Sequence, residues 1–227
     1  MSDSVSTEAV PPGRRRILII DDHPLLRKGL SALINQEPDL YVAAEAPDGE
    51  RGLEILAGNQ FDMATVDISL PGSDGIELVK TIKQRHGDLP VLVVSMHDEV
   101  LFAERALRAG ARGFIMKQEA ADCILRAIRR VLEGQIYVSE RIATRMLKKL
   151  VGGDNEASAC SLDCLSDREL TIFRLIGKGY GTRQIAEELH LSIKTVESHR
   201  AHIKEKLEIS SGTELVRCAC VWSAATS

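Results

Sequence analysis

Residues 14–30 read RRRILIIDDHPLLRKGL. Four apolar residues, Ile17 to Ile20, run straight into two adjacent carboxylates, Asp21 and Asp22. Like charges side by side at the end of a buried run repel each other and resist desolvation. A cation, or a group that these acids hold, is therefore expected beside them. The chain continues HPLLRKGLSALINQ, with Leu26, Leu30, Leu33 and Ile34 at near-helical spacing. An apolar strand followed at once by an amphipathic helix reads as half of a βαβ unit.

The pattern repeats along the chain. LYVAAEA (40–46), FDMATVD (61–67), LPVLVVS (89–95) and RGFIMK (112–117) read as strands. The stretches DGERGLEILAG, DGIELVKTIKQRH, DEVLFAERALRAG and AADCILRAIRRVLEG follow them and read as helices. Five strands alternating with helices predict a doubly wound, flavodoxin-like α/β domain whose five-stranded parallel sheet is covered on both faces. Its expected span is 14–134, after a tail at 1–13 that is rich in Ser, Asp, Glu and Pro and reads as disordered.

Bulk properties narrow the class. The chain has 227 residues, 44% hydrophobic and 27% charged, which suits one large or two small globular domains. A net charge of −4 neither favours nor excludes nucleic acid, because a whole-chain sum hides any split. The early apolar runs are too short for a signal peptide or a membrane span, so a cytoplasmic protein without membrane contact is expected. Five cysteines, Cys123, Cys160, Cys164, Cys218 and Cys220, lack zinc-ribbon spacing. They read as structural or incidental thiols rather than as a metal site or redox pair.

Sites in an open parallel sheet form at the carboxyl ends of its strands. Reading those ends gives Asp21 and Asp22, then Asp67, Ser95 and Lys117. Asp and Ser also serve as helix caps, the role open to Asp74 or Asp98. But three carboxylates, a hydroxyl and an ammonium on one rim form a coherent chemistry. Clustered carboxylates suit a hard divalent cation, Mg²⁺ best of all. Asp67 is then the nucleophile for a phosphoryl group, screened by the metal and by Lys117, with Ser95 donating to the phosphate oxygens.

The segments IIDDHP, TVDISLPGSDG, LVVSMHD and RGFIMK resemble the receiver domain of response regulators. The resemblance implies that Asp67 is the phosphoacceptor. It implies further that Asp22, Asp67 and the Ser69 carbonyl hold Mg²⁺ with support from Asp21, that Ser95 and Phe114 are the switch residues, and that Lys117 is the conserved-role lysine. Two departures stand out: Gln118 follows Lys117 where many receivers have Pro, and Met96 and His97 follow Ser95.

Beyond the receiver, GQIYVSERIATRMLKKL contains a helical stretch and VGGDNEASACS reads as a linker, together 135–161. From Leu165 onward only helices are expected. Ser166 and Glu169 stand at capping-box spacing, and a short helix, a turn at HLS and a longer helix capped by Ser192 form a helix-turn-helix pattern at about 182–201. LSDRELTIFRLIGKG, QIAEEL and KTVESHRAHIKEKL resemble the four-helix DNA-binding domain of the NarL/LuxR type, here 162–224. Charge adds little: from Leu165 to Ser227 nine Lys and Arg face eight Asp and Glu.

On the longer helix, Val196, Ile203 and Leu207 line one face and predict the buried stripe. The opposite face predicts Lys194, Glu197, Ser198, Ala201 and His202 in the major groove beside Thr195, with Arg200, Lys204 and Thr182 or Arg183 reaching phosphates. The whole resembles a two-component regulator of the NarL/LuxR type. That implies a sensor histidine kinase, double-stranded promoter DNA, a second copy of the chain and RNA polymerase as partners. An enzyme reading, a Mg²⁺-dependent phosphotransferase or phosphatase with an Asp nucleophile, is the alternative. Dehalogenase-like phosphatases carry a second Asp two residues after the nucleophile, where this chain has Ser69, and an attached DNA-binding domain has no role in them. A regulator working without phosphorylation is a third reading, disfavoured because every phosphorylation residue is present.

Overall fold

The computed structural model describes residues 13–71, 74–96, 99–119, 121–150, 162–189 and 191–226. The expected tail up to residue 12, the 151–161 segment, Cys160, His97 and Asp98 lie outside them. The chain divides into two compact units, Met1–Asp154 and Asn155–Ser227.

The first unit alternates strand and helix: β1 (Arg15–Ile20), α1 (Pro24–Asn35), β2 (Leu40–Ala46), α2 (Gly49–Gly58), β3 (Met63–Val66), α3 (Gly75–Arg85), β4 (Val91–Ser95), α4 (Glu99–Arg108), β5 (Gly113–Met116), α5 (Ala121–Leu132) and α6 (Glu140–Leu150). The strands pair in parallel in the order β2-β1-β3-β4-β5, with helices on both faces. Ile17 to Ile20 are at most 1% exposed, as a central strand covered on both faces requires. Each such side chain contributes about 1.5–3 kcal/mol of transfer free energy. Helix α5 turns Ile124, Leu125, Ala127, Ile128 and Val131 onto this core.

One isolated bridge lies beyond β5. Tyr137 lies parallel to Gly113: the Phe114 N–H donates to the Tyr137 carbonyl at 2.8 Å and the Tyr137 N–H donates to the Arg112 carbonyl at 3.0 Å. The segment after Gly134, expected as linker, thus begins by adding to the receiver sheet, and α6 buries Ile142 in the same unit.

The second unit follows a short 3₁₀ turn (Leu162–Cys164) with α7 (Asp167–Gly177), α8 (Thr182–Glu188), α9 (Ile193–Lys206) and α10 (Gly212–Thr226). The capping box starting α7 is complete: Ser166 Oγ accepts from the Glu169 N–H, and Glu169 Oε2 accepts from the Ser166 N–H at 2.8 Å. Phe173 packs edge-on against Trp222 with ring centroids 5.9 Å apart. Gly177 lets α7 and α10 touch, since a Cβ there would sit 2.5 Å from the Ala219 carbonyl oxygen. Ser192 caps α9 by accepting from the Thr195 N–H at 3.0 Å.

Glu169 is also bound by Lys206 Nζ at 2.7 Å, which ties the start of α7 to the end of α9. Burial works against its charge, yet Lys206 and the Ser166 backbone and hydroxyl outweigh it and hold the carboxyl below its usual range. A carboxyl with a depressed native pKa adds stability that is present above the usual glutamate value of about 4.3 and is lost as pH falls through the native value. Glu169→Gln is therefore expected to cost about 1–2 kcal/mol at pH 7, and the gap from wild type should close as pH falls through the native value. Urea melts of both chains followed by Trp222 fluorescence check this; a gap that stayed constant with pH would assign the loss to packing alone.

Candidate functional site

Register places the site. Ile20 pairs with Val66, so the residues that follow, Asp21 and Asp67, leave neighbouring strands side by side. The Asp67 N–H donates to the Ile20 carbonyl at 2.9 Å and fixes this exit. Ser95 pairs with Met116, which sets Lys117 beside Ser95; the Lys117 N–H donates to the Ser95 carbonyl at 2.8 Å. The ends of β1 and β3 flank the point where the strand order reverses, the usual crevice of this architecture, and the Lys117 side chain reaches it from the end of β5.

Lys117 is the cation that the paired carboxylates called for. Its Nζ lies 2.6 Å from Asp21 Oδ2 and 2.8 Å from Asp67 Oδ2, with side-chain exposures of only 4%, 6% and 2%. A buried lysine is stable only when paired in this way. Burial pushes the Asp67 carboxyl above its usual range, although Lys117 pulls the other way. Asp21 is further held by the His23 N–H, which donates to Oδ1 at 2.9 Å. The Ser69 N–H donates to Asp67 Oδ1 at 3.3 Å. Ser95 and Phe114 are 0% and 1% exposed.

Three carboxylates against one ammonium leave two negative charges, the complement of a divalent cation. Ligand atoms of Asp21, Asp22, His23 and Asp67 lie within 4.8 Å of one another. Asp22 Oδ1 is buried without a hydrogen bond, 2.6 Å from His23 Nδ1 in a poorly aligned contact. An orphaned buried carboxylate oxygen in an oxygen-rich cluster fits a hard metal ion. His23 is the member that the sequence reading passed over. It stands in the DDHP motif, but only the start of α1 at Pro24 turns its ring toward the acids.

Helix α3 starts hard against the backbone of Asp67 and Ile68. A Cβ on Gly75 would fall 2.3 Å from the Asp67 carbonyl oxygen, and Asp74 caps the helix by accepting from the Ile76 N–H at 2.9 Å.

In the second unit, α8 and α9 are joined by a tight turn in which the Leu191 N–H donates to the Ala186 carbonyl at 2.8 Å. Val196 and Ile203 are fully buried, whereas Leu207 is half-buried. Lys194, Glu197, Ser198, Ala201 and His202 are all exposed, and Thr195, Arg200 and Lys204 are partly so. Thr182 opens α8, and the exposed Arg183 reaches Glu187 at 3.5 Å. His199 is half-buried, and burial, then Arg168, keeps its imidazole below its usual pKa. No cysteine belongs to either cluster of potential metal ligands among the described residues.

Comparison with known proteins covers both units. Residues 17–129 match the response regulator receiver domain, and 163–219 match the bacterial regulatory proteins of the luxR family. The oxygen regulatory protein NreC of Staphylococcus aureus strain JH9 is 36% identical over 208 residues, covering 90% of this chain and 96% of NreC. The crystal structure of the response regulator ChrA of a heme-sensing two-component system is 31% identical with a TM-score of 0.50, covering 92% and 98% of the two chains. RcsB of Salmonella enterica serovar Typhimurium, bound to promoter rprA in the presence of the phosphomimetic BeF₃⁻, is 25% identical with a TM-score of 0.58, covering 91% and 98%.

The crowding of charge at the rim has a measurable sign. Without metal, removing one carboxylate relieves repulsion. Asp22→Ala should thus leave the first unit folded, with a urea midpoint by circular dichroism equal to or above wild type. A clear drop in that midpoint would instead make Asp22 a structural hub of the β1–α1 turn.

Proposed function

The chain belongs to the response regulators that join a receiver domain to a LuxR-type DNA-binding domain, and on that premise we propose that phosphorylation of Asp67 controls its binding to promoter DNA. It is a transcription regulator of a two-component system; its relatives are regulators rather than conventional enzymes. The observation that carries the phosphorylation reading is the buried Lys117 ammonium spanning Asp21 and Asp67 at the ends of β1 and β3.

In this reading an Asp67 carboxylate oxygen attacks the phosphorus of a phosphohistidine on a sensor kinase. An O–P bond forms, the N–P bond breaks, and the departing imidazole keeps the electron pair and takes up a proton. Lys117, 2.8 Å from Asp67 Oδ2, offsets the charge that builds on the transferred oxygens. Asp22, Asp67 and the Ser69 carbonyl would hold Mg²⁺, with Asp21 in support. Once bound, the ion supplies charge neutralisation for the phosphoryl group. The phosphate adds about −1.5 to −2 charges to the rim. The Ser95 hydroxyl donates to it, and the movement of Ser95 opens space for Phe114.

The readout is α9. The exposed face Lys194, Glu197, Ser198, Ala201 and His202 enters the major groove beside Thr195, while Arg200, Lys204 and Thr182 or Arg183 hold phosphates. Two copies on paired half-sites fit a phosphorylated dimer, with RNA polymerase as the further partner and the cytoplasm as the compartment.

Incubation with acetyl phosphate and Mg²⁺ should add one acid-labile phosphate by intact mass, and Asp67→Asn should abolish it. Undiminished labelling of that variant would sink the assignment. For DNA, Glu197→Ala should cost about 1–3 kcal/mol at one operator position and relax its preference, whereas Lys204→Ala should weaken all sequences alike and lower the salt slope by about one. Both variants binding every mutated operator as the wild type does would put the contact face elsewhere.

A further inference from the structure

The second unit carries a cluster that regulation through Asp67 does not use. Glu169 on α7 and His199 and His202 on α9 bring a carboxylate oxygen and two imidazole nitrogens within 4.8 Å of one another. The two histidines stand three residues apart on one helix and so share a face. Glu169 is 3% exposed, His199 half-buried and His202 exposed, so the cluster has a fixed floor and an open mouth. The carboxylate is divided between two tasks. Its Oε2 holds Lys206 Nζ at 2.7 Å and the Ser166 N–H at 2.8 Å, while Oε1 faces His202 Nδ1 at 4.0 Å.

We propose that Glu169, His199 and His202 form a binding site for a divalent transition metal of the zinc class. Two imidazoles and one carboxylate are a set that Zn²⁺ accepts, with bonds of about 2.0–2.2 Å and a fourth position left to water. Imidazole nitrogens select such ions over Mg²⁺, which prefers oxygen. Ligands on a tetrahedral ion stand about 3.4 Å apart, so closing from 4.8 Å needs only small rotations of the exposed His202 and of His199. Oε1 reaches the ion while Oε2 keeps Lys206, which leaves the α7 cap intact. The neighbouring charges of Lys206 and Arg168 oppose the ion and make its binding weaker than that of a structural zinc. The bound ion joins the start of α7 to the middle of α9 and draws His202 out of the exposed face of that helix.

The test uses the full chain in saturating Mg²⁺, which keeps the oxygen-rich receiver cluster filled. Trp222 is the only tryptophan of the chain, and it packs on Phe173, so its fluorescence follows the unfolding of this unit alone. Zn²⁺ at about 100 µM should raise the Trp-monitored melting midpoint by mass action. His202→Asn, a change at an exposed position, should lower the apparent affinity about tenfold or more, and His199→Asn with His202→Asn should remove the shift. Co²⁺ in place of Zn²⁺ should give the intense visible absorption of a four-coordinate ion without a thiolate charge-transfer band. An unshifted wild type, an equal shift in His202→Asn, or a thiolate band would overturn the proposal.

Discussion

The receiver unit is organised around one buried ammonium. Lys117 reaches back from the end of β5 across the sheet to Asp21 and Asp67, with all three side chains almost sealed from solvent. Neither the acids nor the lysine is stable at that depth alone, so the ends of β1, β3 and β5 must arrive together. The parallel register does this, because Ile20 pairs with Val66 and Ser95 pairs with Met116. The same constraint explains why Asp22 is left over. With Lys117 committed to its neighbours, its oxygen is matched only by His23 or an added cation.

Much of this was legible because buried parallel strands are apolar on both faces and then stop abruptly at polar residues. ILII followed by two aspartates, and VLVV followed by Ser95, mark both the strand and the place where chemistry begins. The helix starts were equally readable, since the Ser166–Glu169 capping box and the Ser192 N-cap are local in sequence. What escaped was tertiary. Tyr137 stands in no alternating run and bridges to Gly113 only because β5 offers an open edge. His23 carries no periodic signal, and its place among the acids follows from the turn into α1. Glu169 reads as a cap, yet its second partner lies 37 residues away on α9. Leu207 was expected in the buried stripe and is only half-covered, because α9 ends at Lys206 and the chain turns through Glu208 at a φ of 55°.

The DNA-binding unit reaches stability by different means. Its helices are short, so propensity alone would not hold them, and tertiary packing must. Ile172, Phe173, Ile185, Val196 and Ile203 are completely buried, and the Glu169–Lys206 pair fastens the two ends of that core. The basic side chains that face outward are few and dispersed, which is why the net charge of the region says so little about nucleic acid. The buried stripe of Val196 and Ile203 fixes which face α9 turns outward.

The pairing of Tyr137 with β5 bears on how this protein can be dissected. A sheet edge with free N–H and C=O groups is a template for another chain. Cutting after Gly134, where the α/β pattern ends, would strip the Phe114 N–H and the Arg112 carbonyl of their partners at Tyr137. The shortened receiver would carry an open edge that the whole protein covers. Self-association of such a fragment would then report strand addition at β5 rather than an association of the whole chain. A cut placed after α6 keeps the edge closed and separates the two phenomena.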